Sequence, residues 1–155
     1  MILFNRKMKK YLDMGINNNI SELETLVFIR LGAGFFFDRE VNENVRTVAN
    51  VYSADPDCDW AGFEYGTNKL HLENEMQAPL SDVAAAGICL AQRLADRFKK
   101  QFPDSKAIFW LGCDEFGEYP SVTLGFYVKR EGMTPLLPED GFSLEKFSNA
   151  ILIVI

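Results

Sequence analysis

The chain has 155 residues, 48% hydrophobic and 25% charged, a composition that suits one globular domain and excludes a disordered or low-complexity protein. Its net charge of -6 argues against a nucleic-acid duplex as a direct partner, because phosphate binding rests on a basic patch. No stretch approaches the ~20 apolar residues of a membrane span, and the opening MILFNRKMKKYLDMG runs apolar then basic, the reverse of a secretory signal.

In chain order, residues 4–14 read as a short basic helix ended by Gly15, and Asn17-Asn18-Asn19 as a loop. Ser21-Glu22-Leu23-Glu24 matches a capping box, so a helix is expected over about 22–31, with Gly32 and Gly34 breaking what precedes them. The β-branched run VRTVANVY, 45–52, suits a strand, and the aromatic run WAGFEY, 60–65, suits an extended segment. Lys69 to Leu72 reads as another short strand. The clearest helix is 81–102, capped by Ser81. Ala84, Ile88, Ala91, Ala95, Phe98 and Phe102 recur at steps of three and four, and Pro103 closes it. Residues 107–129 read as a hairpin. Its first strand is apolar, and its second alternates with Val122, Leu124, Phe126 and Val128 on one face. Ser143 marks a last short helix, and the apolar tail Ile151 to Ile155 is expected to pair in a sheet, since exposed it would aggregate. The expected fold is α+β: one domain, 1–155, with a mainly antiparallel sheet of four to six strands and helices packed on it.

Patterns for catalysis or cofactors are weak. Leu31-Gly32-Ala33-Gly34 has Phe37 where a dinucleotide turn needs its third glycine, so no nucleotide cofactor is expected. Asp55-Pro56-Asp57-Cys58-Asp59 has Trp60 and Gly66 where a calcium loop needs Gly and Glu. A single histidine, His71, and no close cysteine pair speak against zinc. A hydrolase would need His71 to meet Cys58 or Cys113 in space, or a buried carboxylate pair. The odd, scattered set Cys58, Cys89 and Cys113 is no disulfide framework and points to a reducing, cytoplasmic location.

Negative charge is uneven. Residues 38–82 carry ten acids against three bases, and 113–140 carry six against two, while 83–112 carry two acids and five bases. Clustered charge of one sign steers encounter with a partner of the other.

Three segments together, DPDCDWAGFEY (55–65), the helix 81–102 and WLGCDEFGEYPSVTLGFYVKREG (110–132), give a chain that resembles bacterial immunity proteins of the contact-dependent growth inhibition or polymorphic toxin class. The resemblance implies a cytoplasmic, non-enzymatic inhibitor. Such a protein binds the C-terminal toxin domain of its own effector, often a nuclease with a basic surface, and not the membrane or the nucleic acid. On that expectation the turn from Cys113 to Tyr119 is a docking edge. Asp114, Glu115 and Glu118 would meet basic side chains, and Phe116 or Tyr119 would anchor. Asp55, Asp57, Asp59 and Trp60 would form a second patch if the fold brings the segments together. Two other classes remain open: a small hydrolase with a Cys/His or carboxylate site, and an adaptor that uses the apolar tail as an edge strand.

Overall fold

Seven strands run along the residues described in the computed structural model, 1–14 and 23–155: β1 (Ile2–Phe4), β2 (Phe28–Leu31), β3 (Gly34–Phe37), β4 (Lys69–His71), β5 (Lys106–Asp114), β6 (Ser121–Lys129) and β7 (Ala150–Val154). Five form one antiparallel sheet in the order β1-β7-β5-β6-β4, and β2 and β3 form a separate hairpin. The helices are α1 (Arg6–Leu12), α2 (Glu43–Ser53), α3 (Trp60–Thr67), α4 (Leu80–Gln101) and α5 (Gly141–Leu144). The architecture is α+β, as the sequence implies, and no helix among the described residues is long and apolar enough to cross a membrane.

The alternation of β6 sets the layers. Val122, Leu124 and Phe126 share one face with Phe109, Leu111 and Cys113 of β5 and Leu152 of β7, and α4 packs on that face. Residues one step out of phase, Ile108, Trp110, Tyr127, Ile151 and Ile153, form a second core beneath α3 and α5. Burying such side chains fully contributes ~1.5–3 kcal/mol each. Close approach of α4 to β5 depends on Gly87, where a Cβ would lie 2.8 Å from Leu111 Cδ1 and 2.9 Å from Leu72 Cδ1. The apolar tail is β7, in the sheet interior between β1 and β5. The adaptor expectation is therefore corrected: the edges are β1 and β4, and the tail's ladder groups are already paired on both sides.

Three local readings change. Residues 45–52 lie in α2, because Val45 and Ala49 recur at helical spacing against the core and Asn42 Oδ1 accepts from the Val45 amide, 3.0 Å. Tertiary packing of that stripe overrides β-branched propensity. Residues 60–65 lie in α3, started by Asp59 Oδ1 accepting from the Gly62 amide, 2.9 Å. The helix expected over 22–31 is a single 3-10 turn, Leu23–Thr25, followed by β2, and Gly32 turns the chain into β3 with φ +60. The Ser21 cap, Gly15 and the 17–19 loop lie outside the described residues. The long helix begins one residue earlier than its sequence cap, with Pro79 in the cap position and Ser81 inside the first turn.

Two buried polar residues, Glu64 of α3 and Asn68 just after it, join the β2–β3 hairpin to the sheet. Glu64, 0% exposed, accepts from the Phe35 and Val128 amides, each at 2.8 Å, and from Arg130 at 2.7 and 3.0 Å. Asn68 accepts from the Phe37 amide at 3.0 Å and donates to the Phe35 carbonyl at 2.9 Å. Both residues therefore satisfy backbone groups that the two sheets leave unpaired.

Candidate functional site

The connection from β5 to β6 is a tight polar turn. Asp114 Oδ1 accepts from the Gly117 amide at 2.9 Å, so this carboxylate shapes the turn. A Cβ at position 117 would fall 2.4 Å from Asp114 Oδ2, so a larger residue there would have to displace the carboxylate that shapes the turn. The geometry throws two rings outward: Phe116 is 91% exposed and Tyr119 81%. Glu118 lies between them, exposed and with no hydrogen bond or ion pair among the described residues. Cys113, the expected start of the docking edge, is instead buried in β5 against α4's face of the sheet.

Glu115 points inward along the chain's own surface. It pairs with Lys10 and accepts from Tyr11 Oη at 2.8 Å, and the Cys113 thiol donates to Tyr11 Oη at 3.4 Å. Hydrogen bonds from Lys10 and then Tyr11 hold the Glu115 carboxyl below its ordinary range. Burial, with Cys113 and Glu115 beside it, pushes the Tyr11 phenol well above its ordinary range. The basic helix α1, 104 positions away in sequence, thus screens part of the acidic turn.

The second acidic segment is elsewhere. Glu64 of α3 bonds Val128 near the far end of β6, whereas the turn enters β6 at Ser121. Seven residues of strand separate them, roughly 23 Å. Asp55 Oδ1 accepts from the Asp57 amide at 2.9 Å and Asp59 caps α3, so two of these three carboxylates serve the backbone. Asp57 is exposed without such a bond. Trp60 is 7% exposed and packs with Tyr52 and Phe63 against Gly32 and Gly34, which removes it as a surface ring. The expected second patch therefore does not join the first.

The family profile that fits this sequence spans residues 3–155. The chain belongs to the uncharacterized protein PM0498 family. No curated protein matches it, and no solved structure does.

In this PM0498-family chain His71 and Cys113 do not meet. His71 lies opposite Thr123 on β4 and Cys113 opposite Val122 on β5, adjacent register positions that place them on opposite faces of the sheet. His71 Nδ1 is instead 3.3 Å from Glu73 Oε1 and 3.5 Å from Thr123 Oγ1, at the surface. Burial pushes the Cys113 thiol up, and desolvation with Asp55 beside it pushes the Cys58 thiol up, so both are held away from the reactive thiolate. The acids of 55–59 form no metal-holding group of three among the described residues.

Sequence reasoning missed Lys10 and Tyr11. A basic run, RKMKK at 6–10, and an acidic run at 114–118 were both legible, but their meeting depends on β7 bridging β1 and β5.

Proposed function

We propose that this chain is a stoichiometric inhibitor of a basic toxin domain, acting in the cytoplasm like the immunity proteins it resembles, and that it works by binding without catalysis. One observation carries the reading: Phe116 and Tyr119 stand almost fully exposed on either side of Glu118, at the tip of a hairpin whose strands are otherwise buried. An exposed Phe adds nothing to folding and costs solubility, whereas aromatic anchors ringed by charge are the usual centre of a binding surface. The net charge of -6 adds attraction for a basic partner and speeds encounter.

The test is co-expression with the product of the adjacent upstream reading frame. A 1:1 complex is expected, with the neighbour's toxicity suppressed, and Phe116→Ala with Tyr119→Ala should weaken the complex at least a hundredfold. A neighbour that is not toxic, or a complex indifferent to both substitutions, would remove the proposal.

A further inference from the structure

Three other side chains border the Lys10 ammonium in an enclosure open on one side, since Phe116 is 91% exposed. The ammonium lies 4.7 Å from the centroid of the Tyr11 ring and 5.5 Å from that of Phe116, and it pairs with Glu115. Two ring faces and a carboxylate around one point are the elements by which proteins recognise organic cations. The enclosure is held from behind. Tyr11 donates to Glu115 Oε2 and receives the Cys113 thiol, so neither the ring nor the carboxylate turns freely. A cavity of about 280 Å³ opens beside it, lined by Arg6, Lys7, Lys10, Tyr11, Glu115 and Phe116.

Lys10 fits this enclosure incompletely. Both bonds to Glu115 fall on Oε2, and Oε1 has no hydrogen bond among the described residues. Lys10 is half exposed, and an ion pair of that kind contributes little and reopens readily. The other cations at the cavity are committed, Arg6 to Glu145 and Lys7 to the carbonyls of Phe147 and Ser148. A guanidinium is a better occupant than an ammonium: it is flat enough to stack on Phe116, and its paired N–H groups reach both carboxylate oxygens.

We propose that Tyr11, Glu115 and Phe116 form a recognition site for an arginine side chain, with the chain's own Lys10 as a displaceable placeholder. The partner that supplies the arginine rests on the docking reading above; the site itself does not. Lys10 would act as a competitor, lowering apparent affinity by the fraction of time it fills the enclosure.

The experiment is an NMR titration with Nα-acetyl-arginine amide, and with the citrulline analogue as an uncharged isostere. Lys10→Ala should bind the arginine compound about fivefold more tightly than the natural chain, with shifts centred on Tyr11, Glu115 and Phe116. Citrulline should bind far more weakly, and adding Phe116→Ala should abolish the gain. Lys10→Gln, which keeps the side-chain stem over Tyr11, repeats the test should the alanine variant unfold. Equal affinity with and without Lys10, equal binding of citrulline, or binding that survives loss of Phe116 would each overturn the site. Arginine binding without a toxin complex would remove only the docking reading, and a toxin complex without arginine binding would remove only this site.

Discussion

The two ends of β6 carry carboxylates of the same chemistry but differ in what is left bare. At the Val128 end, Glu64 is sealed inside with four donors pointed at it, and Asp55 and Asp59 hold backbone amides. At the Ser121 end, Asp114 holds the Gly117 amide and Glu115 pairs with Lys10 and Tyr11, but Glu118 is bare, with exposed rings on either side of it. Charge count alone makes both segments acidic surfaces. What separates them is whether an unpaired amide or a guanidinium lies within reach, since such a group converts a carboxylate from a contact for others into part of the frame.

Breaking the inner end should have the largest effect. Glu64→Ala strands Arg130 and two buried amides, and should destabilise by about 3–5 kcal/mol in urea unfolding. Asp59→Ala removes only the α3 cap and should cost about 1 kcal/mol by the same measurement. At the outer end, Phe116→Ala and Tyr119→Ala should shift stability by no more than about 0.5 kcal/mol while weakening any complex. A large loss of stability there would mean that the rings belong to the core, and the contrast between the ends would collapse.

The smallest effect is in acid, and its sign differs between the ends. Burial is the largest influence on Glu64 and raises its carboxyl above 4.5 against the pull of Arg130, so folded Glu64 holds its proton more tightly than the unfolded chain does. Its contribution to stability should be greatest in acid and fall as pH rises from about 4.5 through the raised value. Glu115 is held below 4.5 by Lys10 and Tyr11, so its contribution is present above that pH and is lost as pH falls through the lowered value. Carboxyl NMR titration should place the two midpoints on opposite sides of 4.5. Glu64→Gln and Glu115→Gln should each flatten their own part of the stability curve.

Much of the frame was legible from residue order. The period-two run in β6, the apolar run of β5 and the stripe of α4 each extend far enough for one period to dominate, and Pro103 after α4 marks an end by local chemistry, whereas α5 is capped by Asp140 and not by the expected Ser143, which lies inside it. Short segments were ambiguous. VRTVANVY and WAGFEY fit a strand by residue type, yet each has a side-chain cap and inward residues at helical spacing, which only a surface to pack on makes decisive. Exposed Phe116 was readable from its place in a glycine turn. Buried Trp60 was not, since its burial depends on Gly32 and Gly34 arriving from another part of the chain.

The amino-acid order by itself determined the α+β class, the long helix, the central hairpin and the acid-rich turn at its tip, because these depend on contacts between near neighbours. Only the tertiary structure decided which acids remain bare, that Lys10 and Tyr11 meet Glu115, and that the apolar tail is an inner strand. Lys10 and Tyr11 meet Glu115 across 105 and 104 positions, and that meeting, like the place of the tail, is set by strand order and by the need to satisfy buried amides.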